Sequence, residues 1–547
     1  MASTNDRPRV FLSQGILVGT HLNAEYPASL DAFLGVPYAL PPTGDRRFKQ
    51  PQKLPASTEI IDASWYGPMA PGKALLLPPG GPKIPQSEDC LAANIFRPAG
   101  TEATDRLPVA VYFHGGAFNH GSATMHDTAA MVAWSESPFI GVSFGYRLGA
   151  LGFLPSSLTK KEGILNLGLR DQIHLLEWVQ ENISEFGGDP GNVTLFGLSA
   201  GAHSIGHHLL NYKEGNPALF HRVIMESGAP TSRAIHHYNA KIHEKQFADF
   251  LREVGCPPHL NEEEIFPFLR SLPSTTLTKA QEKIFEDYSA SLHWAFQPVI
   301  DEDIISRKPL EAWISGQWNK VPILTGFATN EGTMYVDKKM SETSQFRTFW
   351  SNLLPGLSPS DLSAIEQLYP DPNTDHTSPY TETRKNHGLG SQFKRIEAAY
   401  AQYAYIAPVR QTANFAATQG VPVYLYHWAF PRTVIGRANH GDNMFYETFS
   451  KRITEISQSQ KELSGTLHAY LTSFIAHGDP NVIRGRFSQR PKWSRFVPDE
   501  PCAMVFGQGN EELIGGDIAP SARFGPDEWA REETGFWWSR ASISQLV

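Results

Sequence analysis

Short apolar runs rich in β-branched residues alternate with helical periods between about residues 107 and 230. Pro108–Phe113 and Phe139–Phe144 are two such runs. Over Leu169–Phe186 apolar residues instead recur every three or four positions, until Gly187-Gly188-Asp189-Pro190 ends the helix. Continuous apolar runs are typical of strands that are buried on both faces. The pattern therefore predicts an α/β fold with a central, mostly parallel, twisted sheet covered by helices on both faces.

Other segments extend the same pattern along the chain. Strands are predicted at Asn192–Phe196, His221–Met225, Val321–Thr325 and Val423–Trp428, and a helix at about Ala200–Leu210. Residues at about 232–295 and 335–415 are polar and helical in pattern, and we interpret them as insertions over the carboxyl ends of the strands, where open α/β sheets bind ligands. No internal repeat or Gly/Ser linker divides the 547 residues, so we predict a single domain over residues 1–547.

Gly197-Leu198-Ser199-Ala200-Gly201 lies between the strand that ends at Phe196 and the helix that begins at Ala200. In this context a serine can occupy a strained turn and expose its hydroxyl above the sheet. Side chains at positions 197 and 201 would collide with neighbouring backbone, which explains the two glycines. Because a bare Gly-x-Ser-x-Gly also occurs in ordinary turns, the motif by itself makes Ser199 a candidate nucleophile only.

A second glycine-rich segment, His114-Gly115-Gly116-Ala117-Phe118, directly follows a predicted strand. A glycine pair at this point lets the backbone present amide groups to a bound anion. The amides of Gly115, Gly116 and Ala200 are therefore predicted to form an oxyanion hole beside Ser199. A glycine turn that merely ends the strand is the alternative interpretation.

Further motifs occur in register with these two segments. They are Gly35-Val36-Pro37-Tyr38-Ala39, Ser87-Glu88-Asp89-Cys90-Leu91, Gly145-Tyr146-Arg147-Leu148-Gly149, Asn166-Leu167-Gly168-Leu169-Arg170-Asp171-Gln172 and Gly478-Asp479-Pro480-Asn481. With them, the chain resembles the type-B carboxylesterase and cholinesterase-like family of α/β-hydrolases from residue 35 to about Trp493. The resemblance implies the α/β-hydrolase fold, large helical insertions over the active site, and a serine hydrolase that acts on carboxylic esters.

The resemblance also implies the partners of a nucleophilic Ser199, which needs a base and an acid to orient that base. The acid of the family matches Glu331 in Asn330-Glu331-Gly332-Thr333, and the histidine matches His440 in a segment that begins at Gly436. Taken without the resemblance, Glu331 is an ordinary loop carboxylate, and His440 is one of 20 histidines.

Side chains close to Ser199 in sequence, or matched to the family's acyl pocket, indicate which substrate groups the site accepts. Leu198 stands where many relatives carry glutamate, so strong attraction for a quaternary ammonium group is not expected. The segment that starts at Phe296 matches one that contributes to the acyl pocket of the family, which makes Phe296 and Trp294 candidates for contact with an apolar acyl group. Two core aromatic residues are the alternative. We also assign Phe118 and Leu198 to substrate binding.

The same resemblance implies two structural ion pairs beneath the active site. They are expected to join Arg47 to Asp171 and Glu88 to Arg147. Buried pairs of this kind fix geometry more than they add net stability.

Composition and charge exclude several classes of protein. With 47 Lys and Arg against 56 Asp and Glu, the formal charge of −9 lacks the electrostatic footprint of a nucleic-acid-binding protein. The first residues contain no apolar secretion signal, no run of about 18 apolar residues occurs, and only three cysteines are present, so we expect a cytoplasmic location and no membrane span.

We expect neither a metal nor an organic cofactor. His203 and His207 lie four positions apart on a predicted helix, but Ser204 stands where a zinc protease has its glutamate. Gly507-Gln508-Gly509 lacks the third glycine and the context of a dinucleotide site.

The sequence thus predicts hydrolysis of a fairly hydrophobic carboxylic ester or lactone through an acyl-enzyme on Ser199. The expected partner is the small-molecule ester, and the oligomeric state is left open. One alternative keeps the same triad but transfers the acyl group to an acceptor other than water. The other is a catalytically silent, cholinesterase-like binding protein, although such proteins usually lack a triad residue.

Overall fold

The computed structural model describes residues 7–23, 26–72, 84–233, 235–384, 387–430, 438–487, 489–508 and 521–545. The strands are β1 (Arg9–Leu12), β2 (Gly15–Val18), β3 (Thr20–Leu22), β4 (Leu30–Pro37), β5 (Ile60–Asp62), β6 (Ala92–Pro98), β7 (Leu107–Phe113), β8 (Ile140–Phe144), β9 (Gly188–Leu198), β10 (Arg222–Glu226), β11 (Ile323–Ala328), β12 (Val423–Trp428), β13 (Cys502–Phe506) and β14 (Ala522–Pro526).

The helices are α1 (Thr128–Trp134), α2 (Gly149–Gly152), α3 (Ser157–Lys161), α4 (Leu167–Asn182), α5 (Ala200–Leu210), α6 (Lys241–Glu253), α7 (Glu262–Ser271), α8 (Ser274–Ser289), α9 (Pro309–Ser315), α10 (Thr343–Leu353), α11 (Pro359–Leu368), α12 (Phe393–Ala401), α13 (Ala407–Thr418), α14 (Met444–Glu447), α15 (Lys451–Thr454), α16 (Gln458–His477) and α17 (Arg531–Ser539). A π-helical turn, Gln402–Ile406, joins α12 to α13.

Eleven of the described strands form one sheet in the order β3-β4-β6-β8-β7-β9-β10-β11-β12-β13-β14. The seven strands from β8 to β13 in this order pair in parallel, and the strands at both edges pair antiparallel. The predicted α/β fold with a mostly parallel sheet is therefore confirmed. β1, β2 and β5 form a separate three-stranded sheet.

Strand β7 shows why the central apolar runs contain no polar alternation. Val109, Val111 and Phe113 pack into the hydrophobic core on one face of the sheet. Ala110 and Tyr112 pack into the core on the other face. Because successive side chains of a strand point to opposite faces, a strand covered on both faces needs apolar residues at every position.

Several predicted boundaries differ from the structure by one to three residues, and the end of α4 and the start of β9 differ by four. α4 ends at Asn182, and Ile183–Phe186 continues as a 3-10 turn that Gly187 closes in a left-handed conformation, with φ 87°. β9 begins at Gly188, four residues before the predicted start, because Leu107 of β7 pairs with Gly188 across a β-bulge. The hydrophobic pattern misses this part of β9, since it consists of polar and turn-forming residues.

Helices occupy both segments that we interpret as insertions. α6, α7 and α8 lie within residues 232–295, between β10 and β11, whereas α10 to α13 span residues 343–418, between β11 and β12, so α13 extends three residues beyond the predicted end at 415. The second group forms a hydrophobic cluster of its own, in which Trp350 and Tyr400 are almost fully buried and Trp537 of α17 takes part. The division of the chain into one domain stays a prediction.

The predicted ion pairs form with exchanged partners, so that prediction is wrong. Arg47 pairs with Glu88 through two hydrogen bonds of 2.7 and 2.8 Å. Arg147 pairs with Asp171, whose carboxylate accepts bonds from the guanidinium at 2.6 and 2.8 Å and from the backbone amide of Arg147 at 3.0 Å. That amide bond ties the carboxylate to the Arg147 loop itself, a contact that spacing along the sequence does not reveal.

Replacing Arg147 with Met should lower the free energy of unfolding by about 3–5 kcal/mol, because the carboxylate of Asp171 would remain buried without its partner. The double variant Arg147→Met/Asp171→Leu should lose less than the single variant, since it leaves no buried charge unpaired. Urea denaturation measures both. As a control, Lys283→Met breaks the exposed pair with Asp287 and should leave the free energy of unfolding nearly unchanged. Equal losses for Arg147→Met and Lys283→Met would contradict this prediction.

Candidate active site

Ser199 lies at the sharp turn between β9 and α5. Its backbone has φ 59° and ψ −122°, a combination that non-glycine residues adopt only under constraint. The turn is held by two backbone hydrogen bonds of 2.9 Å, from the Ser199 amide to the Glu226 carbonyl and from the His203 amide to the Ser199 carbonyl. The residue is 6% exposed, so its hydroxyl lies in a sheltered position at the carboxyl end of β9.

The two glycines of this turn are required by close backbone approach. A Cβ on Gly201 would overlap with the carbonyl oxygen of Phe113 at the end of β7. A Cβ on Gly197 would lie 2.8 Å from the same oxygen, closer than real Cβ contacts allow. The collision predicted from the sequence is thus present, and it fixes the height of the turn above the sheet.

Glu331 and His440 lie in hydrogen-bond contact. Nδ1 of His440 is 2.5 Å from Oε2 of Glu331, and Oε1 of the same carboxylate accepts a 2.6 Å bond from the Ala328 amide. Glu331 is fully buried, and the side chain of His440 is 6% exposed. The two loops meet in a fixed register because the Asn330 amide donates to the Ala438 carbonyl at 2.8 Å.

The second insertion, at residues 335–415, contacts the loop that carries Glu331. A Cβ on Gly332 would overlap with the Glu397 carbonyl of α12. The Glu397 carboxylate accepts hydrogen bonds from the Asn330 amide group, at 3.2 Å, and from the Thr333 hydroxyl. Helix α12 therefore packs directly against the segment that carries Glu331.

The loop of His440 packs against the turn that carries Ser199. A Cβ on Gly441 would lie 3.1 Å from a methyl carbon of Leu198. Among the described residues, Nε2 of His440 has no hydrogen-bond partner, Ser199 included. The structure thus brings the two loops together without a hydrogen bond between the His440 imidazole and the Ser199 hydroxyl. Gly436 and Arg437, at the start of the histidine motif, lie outside the described residues.

The segment of Gly115 lies beside the serine. A Cβ on Gly115 would lie 3.1 Å from the Cβ of Ser199. Gly116, Ala117 and Phe118 follow with φ values of 116°, 53° and 61°, a run of left-handed conformations that turns the backbone sharply after β7. Ala200 is the first residue of α5, where amides have no acceptor within the helix.

The residues assigned to substrate binding are all buried, in different surroundings. Phe118 borders a cavity of about 70 Å³, which Trp294 also lines. Phe296 packs against Phe250, with ring centres 5.8 Å apart, and does not border this cavity. Leu198 lies against the loop of His440, as described above.

Sequence reasoning missed the aromatic residues around His440. The Tyr405 ring lies 4.8 Å and the Tyr335 ring 5.6 Å from the His440 ring, measured between centres. Arg233 donates a 2.6 Å hydrogen bond to the Tyr405 hydroxyl. The only signal was a tyrosine-rich run at residues 400–405, and nothing in it pointed to His440.

His203 and His207 are both buried on α5. Nδ1 of His203 lies 3.0 Å from the Ala229 carbonyl. In the described part of the chain, no group of three or more His, Cys, Asp or Glu side chains is arranged to hold a metal ion.

Comparisons with known proteins show the family of the chain. The model of the carboxylesterase family matches residues 6–514. The chain belongs to the carboxylesterase family. It is 34% identical to secreted lipase 4 of Gibberella zeae over 96% of this chain and 91% of that protein, and 31% identical to lipase 1 of Geotrichum candidum over 83% of this chain and 84% of that one. The crystal structure of Aspergillus niger EstA matches with a TM-score of 0.82 and 26% identity over the full length of both chains.

These findings confirm the predicted family, the α/β-hydrolase fold and the class of reaction. This carboxylesterase is a carboxylic-ester hydrolase with small-molecule esters as substrates. Neither acyl transfer nor a silent binding function is favoured. Among its described helices, none is both long and apolar enough to cross a membrane. The cytoplasmic location stays a prediction, and the name of the secreted relative points the other way.

A buried pair of acids lies behind the serine turn of this carboxylesterase. Glu226, whose carbonyl accepts the Ser199 amide, and Glu447 of α14 are both fully buried. Burial raises the pKa of Glu226 to about 7. Hydrogen bonds from groups such as the Tyr426 hydroxyl, at 3.0 Å, act in the opposite direction and offset part of this rise. Burial, and next repulsion from Glu226, raises the pKa of Glu447 well above its usual range. Burial also lowers the pKa of the neighbouring His126 to about 3, so this imidazole is neutral.

The acid pair should make this carboxylesterase less stable as the pH rises. A carboxyl whose pKa is raised in the folded state contributes fully to the stability of the fold when the pH is below its pKa in the unfolded chain, about 4.5. This contribution is lost as the pH rises through the pKa in the folded state, which is about 7 for Glu226. Denaturation at pH 5 and pH 8 should therefore show a drop in the free energy of unfolding that Glu226→Gln/Glu447→Gln largely removes. The exposed Glu185→Gln serves as control and should keep the drop. An unchanged drop in the double variant would refute the assignment.

Proposed function

We propose that this carboxylesterase cleaves its substrates through an acyl-enzyme on Ser199, with His440 as the base and Glu331 as the acid that orients it. The observation that carries the proposal is the 2.5 Å contact between His440 Nδ1 and the buried Glu331 carboxylate. This bond keeps the proton on Nδ1 and leaves Nε2 able to accept a second proton. Nε2 has no other partner in the described part of the protein.

The reaction begins when Nε2 of His440 takes the proton of the Ser199 hydroxyl as Oγ attacks the ester carbonyl. The closing of the serine and histidine loops to hydrogen-bond distance belongs to this step, since such bonds tighten when substrate binds. The negative charge that then develops on the carbonyl oxygen is stabilised by backbone amides, which we assign to Gly115, Gly116 and Ala200. Two observations support this assignment of the amides: Gly115 lies close to Ser199, and Ala200 is the first residue of α5.

The tetrahedral intermediate collapses when the imidazolium of His440 gives its proton to the leaving alcohol. Glu331 stabilises the imidazolium throughout and itself stays ionised. Water, deprotonated by the same imidazole, then attacks the acyl-enzyme, and the acid product leaves with Ser199 restored.

The proposed substrates are fairly hydrophobic small-molecule esters or lactones. Leu198 and Phe118 support this class, since both are apolar: Leu198 directly precedes Ser199, and Phe118 follows three residues after Gly115, which lies beside Ser199. Two relatives are named lipases, which agrees with an apolar acyl group.

Ser199→Ala should lower kcat for a chromogenic ester by at least about 10⁴-fold, because it removes the nucleophile. A fluorophosphonate probe should label the wild type and leave this variant unlabelled. Ser204→Ala, one turn further along α5, serves as a matched control and should retain activity and labelling. Wild-type rates in Ser199→Ala would disprove the assignment.

Glu331→Gln should lower kcat by about 10⁴-fold while the fold is retained, because an amide cannot hold the imidazole in the correct tautomer or stabilise its charged form. Glu331→Asp keeps the carboxylate and should lose less activity than the amide variant. Steady-state kinetics with circular dichroism measures both effects. If the two variants lose equal activity, the charge of Glu331 has no part in the reaction.

A further inference from the structure

Arg233 carries a positive charge into aromatic surroundings. Its guanidinium carbon lies 3.9 Å from the centre of a Trp294 ring and 5.5 Å from that of Tyr405. One N–H bonds to the Tyr405 hydroxyl, while Nε is shielded from solvent and has no hydrogen-bond partner among the described residues. Within that part of the chain no ion pair joins a carboxylate to this guanidinium, and the rings around it belong to Trp294 and to tyrosines, which are neutral because burial raises the pKa of each tyrosine above its usual range. A sheltered cation without a counter-ion is costly, so its presence calls for an explanation.

The cavity of about 70 Å³ opens beside this guanidinium, which is one of its lining groups. Its volume exceeds the roughly 10–15 Å³ that a single water needs, so it has room for a small polar group. Several side chains that line it have buried polar atoms without a partner among the described residues, namely His203 Nε2, His207 Nδ1, Ser232 Oγ, His236 Nδ1 and His243 Nε2.

Arg233 is the only permanently charged residue among the described residues that line the cavity, and no acidic side chain lines it. Burial lowers the pKa of His207 and of His243 to about 3, so these imidazoles are neutral and act as hydrogen-bond partners only. The lining therefore combines one cation with several neutral polar groups that are available for hydrogen bonds. Such a lining favours an anion over a neutral or cationic group.

Residues that line the cavity connect it to the proposed reacting groups. The hydroxyl of Tyr405 is held by Arg233, and the ring of the same tyrosine packs 4.8 Å from that of His440. On the other side, His203 lines the cavity one turn after Ser199. Phe118, three residues beyond Gly115, lines it as well. Because the cavity is lined by residues that follow Ser199 on α5 and Gly115 in its loop, we place a second group of the substrate there.

We propose that Arg233 binds a carboxylate of the substrate, so that the preferred esters carry a free carboxylate in addition to the ester that is cleaved. The inference rests on the proposed acyl-enzyme function and narrows its substrate class. The guanidinium lies over the Trp294 ring, and its Nε–H has no partner among the described residues, so a donor of this planar group is available to a carboxylate.

The test compares esters that differ only in one charge. The first pair is mono(4-nitrophenyl) glutarate and 4-nitrophenyl 5-methylhexanoate, in which an isopropyl group replaces the carboxylate of the acyl part. The second pair, 4-carboxyphenyl butanoate and 4-isopropylphenyl butanoate, moves the change to the alcohol part. For at least one pair, wild-type kcat/KM, corrected for the uncatalysed rate, should favour the anionic ester by about 10- to 100-fold.

Arg233→Met should bring that ratio close to one. Arg233→Lys keeps the charge without the planar fork and should retain part of the ratio. Arg307→Met, which removes an exposed arginine elsewhere, should keep the wild-type ratio. If Arg233 served only to position Tyr405 against His440, the Met variant would slow both esters of a pair equally and leave the ratio unchanged.

Two results would overturn the inference while the proposed function stands. One is Ser199-dependent hydrolysis without preference for either anionic ester, and the other is a preference that persists in Arg233→Met. If the Met variant does not fold, the wild-type ratio and the Lys variant decide in the same way. If no ester is cleaved, the proposed function fails by itself, and calorimetry with glutarate then decides: binding by the wild type that Arg233→Met abolishes supports the carboxylate site, and absence of binding rejects it.

Discussion

The carbonyl oxygen of Phe113 at the end of β7 occupies the space that a side chain at position 197 or 201 would need. This close approach forces the chain to turn sharply between β9 and α5. At this turn Ser199 is the N-cap residue of α5 and has φ 59°. The neighbouring strand β10 completes the constraint, since its Glu226 carbonyl holds the Ser199 amide. A strained residue persists only where its surroundings over-determine it, and here two parallel strands and a helix do so.

The side chains that we propose as acid and base are positioned by backbone contacts as well. Glu331 follows β11 and His440 lies in the connection after β12, and a hydrogen bond between the backbones at Asn330 and Ala438 sets their register. The carboxylate of Glu331 is further fixed by the Ala328 amide. Because the three loops rise from the same end of a parallel sheet, residues that are 132 and 109 positions apart in sequence arrive at one place.

What the sequence predicts well is local. The strand, turn and helix around Ser199 show in the switch from continuous apolar residues to helical spacing, and α5 has the predicted bounds Ala200–Leu210. Long-range pairing is predicted poorly: both arginines and both acids of the buried ion pairs are identified, yet each is given the wrong partner. The stacking of Arg233 on Trp294 joins two residues 61 positions apart in an insertion without repeating pattern, so no local signal reveals it. The resemblance to a family identified Glu331 and His440, because their spacing from Ser199 carries no physical signal.

The contact between Gly332 and Glu397 limits how the substrate specificity of this fold can change. Helix α12 belongs to an insertion whose Tyr400 lines the cavity, and the same helix packs against the loop of Glu331, the proposed acid. The insertion is therefore not a detachable module. Transplanting it from a relative would alter the alignment of the imidazole together with the shape of the pocket, so a change of selectivity by that route is coupled to a change of turnover.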